Sequence, residues 1–138
     1  MLLSLSLASK AIVVEPGKSI AAVRIGMTRA EVSKLHKLSP DGVERAERTG
    51  YTSGALYFLF DAKDVVVLVG VELQKSGGLR VGKVSIPPKI SAVDFANRLP
   101  GCTVSDGSGG HAIHCEAGLD AYDSYGDAFV SAVHLGPG

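Results

Sequence analysis

The stretch MTRAEV at residues 27–32 is the clearest start of a helix in the chain. Thr28 can act as the N-cap, and Glu31, three residues later, can hydrogen-bond back to it, which is the pattern of a capping box. Apolar residues just before the cap and four residues after it stand at the positions of a hydrophobic staple. The stretch therefore predicts a helix that begins at Thr28 and ends before the Ser-Pro-Asp-Gly turn at residues 39–42.

A second start of the same kind lies in the stretch ISAVDF at residues 90–95. Ser91 stands at the cap position, Asp94 follows three residues later, and apolar residues again occupy both staple positions. The helix is expected to end at Leu99-Pro100-Gly101. Two matching starts, each followed by strand-like runs, indicate an internal duplication.

Strand-like runs lie before and after each helix. Residues 55–60 and 65–73 are apolar runs on either side of a turn, so they predict a hairpin of two largely buried strands. Residues 19–23 predict a short helical turn. Further strands are predicted at residues 2–14, 79–86, 102–104, 111–116, 119–124 and 128–135.

These elements predict an α+β fold of two tandem, divergent helix-plus-antiparallel-hairpin units. The first unit covers residues 1–86 and includes the N-terminal strand, the second covers residues 87–138, and together they form one domain. A helix and a hairpin alone leave an apolar face uncovered. The two units are therefore expected to share one antiparallel sheet with both helices on one face, which leaves the opposite face to water or to a partner.

The composition is that of a folded protein, with 46% hydrophobic and 20% charged residues among 138. The net charge of zero hides an asymmetry. Residues 1–98 contain all 14 Lys and Arg against 9 acids, a formal charge of +5, whereas residues 99–138 contain five acids and no Lys or Arg, a charge of −5. This pattern indicates either two faces that attract each other within the domain or a binding segment.

The N-terminal stretch MLLSLSLASK does not have the pattern of a signal peptide. No Lys or Arg precedes its apolar residues, and serines interrupt them. No segment approaches the roughly 20 apolar residues that a membrane span needs. The sequence predicts a cytoplasmic protein that does not contact a membrane, with a periplasmic or secreted location as the alternative if a leader has been removed.

The stretch IGMTRAEV at residues 25–32 resembles the repeat signature of the β-lactamase inhibitor protein family and of related small domains of bacterial outer-membrane assembly lipoproteins. The stretch from Cys102 to Ile113-His114-Cys115 is similar to a loop of the inhibitor in which two cysteines are bridged. The second unit lacks the Gly-Met-Thr signature. A similar Gly-Met-Thr-Arg opening occurs in small immunity proteins that neutralise bacterial toxins. The resemblance implies a non-enzymatic protein that binds through a concave sheet face and its loops.

Cys102 and Cys115 are the only two cysteines. The loop at residues 105–110 can bring the strands that carry them together, and a disulfide there would stabilise the fold by roughly 3 kcal/mol in the chain-entropy model. The family resemblance implies this bridge. A reducing cytosol would instead keep two buried thiols, so both states stay open.

The stretch LDAYDSYGD at residues 119–127 is the predicted partner-binding site. Tyrosines are common interface anchors because they bring a large area and a polar tip at low entropic cost. Aspartates would steer a basic partner and fix its orientation. The alternative is a solvated hairpin with one Tyr in the core, but the lack of Lys and Arg after Arg98 favours an interface. The predicted site residues are Asp120, Tyr122, Asp123, Tyr125 and Asp127.

Other kinds of site find little support in the sequence. His111 and His114 have an odd separation, so they should point to opposite faces of a strand, and no spacing matches a zinc motif. A nucleophilic pair of Cys115 with His111 or His134 lacks a third, orienting group. The basic residues form no stripe that would bind nucleic acid. We therefore predict a protein with no catalytic residues, metal or cofactor.

The sequence as a whole predicts an immunity-type inhibitor that blocks the active site of a cognate bacterial toxin. Active sites that hold phosphates are often basic, so a toxin with a basic cleft would suit the −5 segment. The alternatives are a structural or assembly protein of the cell envelope and a secreted enzyme inhibitor of similar fold.

Overall fold

The structure, a computed structural model, describes residues 10–107, 109–124 and 127–136. Among these described residues, strands account for 47% and helical residues for 14%. In the described residues the α-helices are α1 (Arg29–Leu35) and α2 (Ala92–Arg98), and a 3-10 turn covers Leu73–Lys75. The strands are β1 (Ile12–Glu15), β2 (Ser19–Ile20), β3 (Val23–Arg24), β4 (Ser39–Pro40), β5 (Thr49–Ser53), β6 (Leu56–Phe60), β7 (Val66–Glu72), β8 (Leu79–Val81), β9 (Val84–Ile86), β10 (Cys102–Gly107), β11 (Gly110–Cys115), β12 (Leu119–Asp123) and β13 (Val130–Leu135).

The strands form two sheets. The larger sheet is antiparallel throughout and has eight strands in the order β10-β11-β12-β13-β7-β6-β5-β4. It consists of two consecutive four-stranded meanders, which meet where β7 pairs with β13 and Val71 lies opposite Val133. The smaller sheet has five strands in the order β3-β2-β1-β8-β9, and its central pair, β1 and β8, is parallel.

The predicted α+β fold, with helix-plus-hairpin units sharing one sheet, is wrong. Each helix is followed by a four-stranded meander rather than a hairpin, and the chain is mostly β with two sheets. Residues 12–24 and 79–86 do not join the large sheet but pair with each other. Their strands are two to four residues long, which is too short for a hydrophobic period to be recognised.

The helical turn predicted at residues 19–23 is also wrong. Ser19–Ile20 and Val23–Arg24 form a tight hairpin in which Ile20 lies opposite Val23. The two connecting residues, Ala21 and Ala22, both have left-handed backbone angles, with φ of 52° and 69°. Such turns usually contain Asn or Gly, so two alanines give no signal of a turn.

The predicted first strand, residues 2–14, is described only from residue 10 onward. Its described strand is Ile12–Glu15, and the part before residue 10 lies outside the described residues.

Both predicted helix starts are present. The backbone N–H of Glu31 donates to Thr28 Oγ1 at 3.1 Å, and Glu31 Oε1 accepts from the backbone N–H of Thr28 at 3.0 Å, which completes the capping box. The backbone N–H and the hydroxyl of Thr28 both donate to Glu31 Oε1, which lowers the pKa of the Glu31 carboxyl. At α2 the Ser91 side chain accepts from the Asp94 N–H at 3.1 Å. The first helix ends earlier than expected, because His36 adopts an extended conformation and its ring contacts the Ala21 carbonyl.

The hydrophobic core lies on one face of the eight-stranded sheet. Alternate residues of the sheet, including Phe58, Phe60 and Val133, are fully buried there. The five-stranded sheet and the two helices contribute the other side of the core, with Val14, Ile20, Leu79, Val32 and Phe95. The eight-stranded sheet therefore has an inner face, which packs on the core, and an outer face.

A disulfide joins Cys102 to Cys115 across the β10–β11 pair. The two residues lie directly opposite each other in the strand register, so the bond links the first strand of the second meander to its neighbour. In the described part of the chain, no helix has the length and hydropathy that a bilayer crossing requires.

Candidate functional site

A row of side chains crosses the outer face of the eight-stranded sheet. His114 lies opposite Asp120, Asp120 opposite His134, His134 opposite Gly70, and Gly70 opposite Tyr57. Because opposite residues of an antiparallel sheet share a face, these groups are held together although they come from five strands. With Tyr122, which lies on the same face of β12 as Asp120, they form what we call the outer-face cluster: Tyr57, His114, Asp120, Tyr122 and His134.

The exposed end of the outer-face cluster is a hydrogen-bonded pair of side chains, His114 and Asp120. Asp120 Oδ1 lies 2.7 Å from His114 Nδ1. The His114 side chain is 71% exposed, whereas that of Asp120 is only 25% exposed. Asp120 therefore sits between two imidazoles, an accessible one on β11 and a buried one on β13.

The centre of the cluster is the buried imidazole of His134, which is 5% exposed. Its ring stacks on Tyr122, with centroids 5.3 Å apart and an interplanar angle of 21°. His134 Nδ1 has no hydrogen-bond partner among the described residues. Burial lowers the pKa of His134, and Asp120 only partly opposes this effect. At neutral pH the ring is therefore an uncharged, flat support for Tyr122.

The far end of the cluster is Tyr57, whose hydroxyl end lies over Gly70. A Cβ built on Gly70 would overlap with Tyr57 Cζ. Burial raises the pKa of Tyr57 to about 12, with further contributions from Glu72 and Tyr122. The pKa of Tyr122 is also raised, by burial and by Asp120. Both phenols therefore stay protonated and offer neutral hydroxyls.

The outer face is partly covered beyond Tyr57. The loop between β4 and β5 folds over it, so that Asp41 and Arg45 occupy the space beside Gly50. Asp41 Oδ2 and Arg45 Nη2 are 2.7 Å apart, and the pKa of Asp41 is lowered by this partner. The accessible part of the outer face is therefore the half that contains the cluster.

The structure separates the predicted site residues. Asp120 and Tyr122 lie together in the outer-face cluster, and Tyr122 is 37% exposed. Asp123, the next residue, is buried; its carboxylate accepts from the His111 backbone N–H and lies 2.7 Å from His111 Nδ1. Asp127 accepts from the Phe129 N–H and from Gln74 Nε2, both at 3.0 Å. Tyr125 lies outside the described residues.

His111 is held between two carboxylates on the opposite side of the sheet from His114. Its Nδ1 contacts Asp123 and its Nε2 lies 3.3 Å from Asp106. Each ring nitrogen of His111 therefore contacts a carboxylate. The thiol that a Cys–His pair would need at Cys115 is consumed by the disulfide. Within the described residues no group of three or more His, Cys, Asp or Glu could hold a metal ion.

Three members of the outer-face cluster were not predicted from the sequence: Tyr57, His114 and His134. The sequence does contain a signal for His114. It lies as far before the turn at residues 116–118 as Asp120 lies after it, so the two residues face each other across the hairpin. Tyr57 and His134 are brought to the cluster by the pairing of β7 with β13, which joins the two meanders. No local feature of the sequence indicates that pairing.

No protein-family model matches this sequence, and no curated protein or solved structure is significantly similar to it. The resemblance to the β-lactamase inhibitor family therefore stays a hypothesis that depends on residues 25–32 and the two cysteines.

Proposed function

We propose that this protein is a non-enzymatic inhibitor of the immunity type, which binds a toxin or another enzyme with the outer face of its eight-stranded sheet. The observation that carries this proposal is the outer-face cluster, in which two tyrosines and a carboxylate surround a buried imidazole. The inner face of the sheet is occupied by the core. The outer face is not used by the core, so its uncovered half can meet a partner.

The tyrosines of the cluster are suited to anchoring a partner. Tyr122 rests on His134, and Tyr57 rests on Gly70, so both rings are held in place before any partner arrives. Rings that are already ordered lose little conformational entropy on binding, and tyrosine is enriched among the residues that dominate interface energies. The two neutral hydroxyls supply hydrogen bonds that can orient the partner.

The charge of the site favours a basic partner. Residues 99–138 carry a formal charge of −5, and Asp120 is the acid of this segment that lies in the cluster. Asp123 and Asp127 are occupied by contacts within the protein, so they contribute to the field more than to direct contacts. A field of this sign speeds the association of a positively charged partner, such as an enzyme with a basic active-site cleft.

The disulfide bears on where the protein works. Disulfides persist in oxidising compartments and are rare in the cytosol. A Cys102–Cys115 bridge therefore favours the periplasmic or secreted alternative over a cytoplasmic location. A toxin or enzyme met outside the cytoplasm would be the natural target of such an inhibitor.

The test is protection from a toxin. Each reading frame next to the gene is expressed alone, and any that arrests growth is co-expressed with this protein. We expect the wild-type chain to restore growth and the Tyr122→Lys/Asp120→Lys variant to lose this effect. Glu116→Lys is the matched control, because Glu116 is an exposed acid of the same −5 segment that lies outside the cluster. Equal protection by all three chains would remove the outer face from the interface, and failure of the wild type to protect would remove the immunity function.

A further inference from the structure

The four edges of the two sheets are not alike. The edge strands β3, β4 and β9 are two or three residues long, and β4 ends in Pro40. Short edge strands and proline are two of the ways in which proteins prevent their sheets from pairing with other chains. The fourth edge strand, β10, has six residues, and five of them are exposed. It contains neither proline nor lysine, and its one charged residue, Asp106, lies near its end and contacts His111, so most of the strand is long and unprotected.

The free backbone groups of β10 follow from its register with β11. The Glu116 N–H donates to the Gly101 carbonyl, which makes Gly101 and Glu116 a hydrogen-bonded pair. Pairs alternate along an antiparallel ladder, so Thr103 and Ser105 bond to β11, whereas Cys102, Val104 and Asp106 point their N–H and C=O groups away from it. No described residue outside β11 hydrogen-bonds to the backbone of β10.

We propose that β10 pairs with β10 of a second copy of this chain, forming a twofold symmetric dimer with one continuous sheet. Centred on Val104, the strand is complementary to itself when it runs antiparallel. Val104 then faces Val104 of the second copy, and Cys102 faces Asp106. All the outward N–H and C=O groups of these three residues find partners in this register.

The side chains agree with this register on both faces of the sheet. On the inner side the partly exposed Val104 meets its own copy, so an apolar contact lies on the twofold axis. Asp106 meets Cys102 rather than another carboxylate, which avoids placing like charges opposite each other. On the outer side Thr103 meets Ser105, a pair that can hydrogen-bond across strands. In the dimer each copy supplies both members of every pair, so the side chains match on both sides of the twofold axis. An unrelated extended peptide would not provide this match.

The dimer has a consequence for the outer face. A twofold axis perpendicular to the sheet keeps the inner faces of both copies on one side. The two outer-face clusters then lie on the other side of the same continuous sheet. The dimer would present both outer-face clusters to one partner surface. The pairing of the two β10 strands does not depend on whether these clusters bind a partner.

The first test is the mass of the full chain, with its disulfide intact, by sedimentation over a range of concentrations. We expect a concentration-dependent dimer, because a single added strand forms a small interface of modest affinity. Amide hydrogen exchange then locates the contact. In the dimer the N–H groups of Cys102, Val104 and Asp106 should become protected, whereas those of Thr103 and Ser105 should be protected in the monomer as well.

Two variants test the register. Val104→Lys places two like charges on the twofold axis, and Val104→Pro removes an outward N–H without touching the bonds to β11; each should raise the dissociation constant at least about tenfold. Val43→Lys is the matched control, because Val43 is exposed in the loop at the far end of the sheet. A chain that stays monomeric at the highest concentrations would overturn the proposal. So would a dimer in which Val104→Lys changes nothing or in which the Val104 amide exchanges freely.

Discussion

Tyr57 occupies the space that a side chain at position 70 would need. The two residues lie opposite each other on β6 and β7, and a Cβ on Gly70 would overlap with the Tyr57 ring. The absence of a side chain at Gly70, which lies opposite His134 in the register, therefore leaves room for the Tyr57 ring. This contact holds one end of the outer-face cluster in place.

Gly70→Ala should force Tyr57 off the sheet. The methyl group has no room, and overpacking of this kind costs about 1–3 kcal/mol. We expect a lower free energy of unfolding in urea and a Tyr57 pKa that falls from about 12, because a displaced ring is less buried. Both quantities can be measured on the Gly70→Ala variant, the free energy of unfolding by urea denaturation and the Tyr57 pKa by ultraviolet titration of the phenols.

Gly107→Ala is the control for this substitution. Its Cβ would lie 3.6 Å from the Gly110 carbonyl oxygen, which is ordinary contact. This variant should leave the Tyr57 titration unchanged. A Gly70→Ala protein with wild-type stability and an unshifted Tyr57 pKa would contradict the packing described above.

The parts of the fold that are encoded locally could be predicted from the sequence. The starts of both helices follow from Thr28 and Ser91, because capping uses residues only three positions apart. Six strands of the large sheet, β6, β7 and β10–β13, could be recognised from runs of strand-favouring residues, whereas β4, only two residues long, and β5 were not predicted. The small sheet could not be predicted, because β1 and β8 pair in parallel although 63 residues lie between Glu15, the last residue of β1, and Leu79, the first residue of β8. Such pairing is decided by packing in three dimensions.

The same distinction applies to the candidate site. Asp120 and Tyr122 are two residues apart and therefore share a face of a strand, which the sequence alone indicates. Asp123 has the opposite parity, so the alternation of side chains along a strand already places it on the other face; our predicted site, which grouped it with Asp120 and Tyr122, did not use this signal. The contributions of Tyr57 and His134 depend on the pairing of β7 with β13, for which the sequence has no local marker.

The hairpin at Ala21 and Ala22 should be improved by residues that prefer its geometry. Both alanines have positive φ, a conformation that costs an L-residue roughly 1–2 kcal/mol and that Asn and Gly adopt far more readily. Ala21→Asn/Ala22→Gly should therefore raise the free energy of unfolding by about 1 kcal/mol. Ala30→Gly, inside α1, is the counterpart and should lower it by about the same amount. A destabilised Asn-Gly variant would show that this turn is not left-handed.

Asp123 should contribute to stability rather than to partner binding. Its carboxylate is 6% exposed and binds both the backbone N–H and the ring of His111, whereas Asp106, on the other side of the ring, is 90% exposed. Removing a buried, charge-assisted partner costs about 1.5–3 kcal/mol, so Asp123→Ala should be clearly destabilised in urea. Asp106→Ala should change little, since exposed ion pairs contribute little. Equal losses for the two variants would count against this assignment.

His134 should make stability depend on pH. Burial lowers its pKa in the folded protein, whereas in the unfolded chain the imidazole takes up a proton at a pH of about 6.5. Below that pH the unfolded state therefore binds more protons, and the free energy of unfolding falls as the pH is lowered. Above that pH the His134 imidazole is neutral in both the folded and the unfolded protein, so its contribution to the free energy of unfolding is fully present. Asp120, which faces His134 from β12 and is shared with His114, favours the charged ring and so reduces the size of the effect without reversing it.

The His134→Phe variant isolates this contribution. Phenylalanine can still stack on Tyr122, but it neither titrates nor leaves Nδ1 without a partner. Its unfolding free energy should therefore fall less than that of the wild type between neutral and mildly acidic pH, as measured by urea denaturation at a series of pH values. His114→Gln serves as the comparison, because His114 is exposed and its replacement leaves the buried imidazole in place. The other acids and histidines contribute to the pH dependence of both proteins, so their contributions cancel in the difference between wild type and His134→Phe. Parallel pH profiles for these two proteins would mean that His134 does not carry the proton linkage.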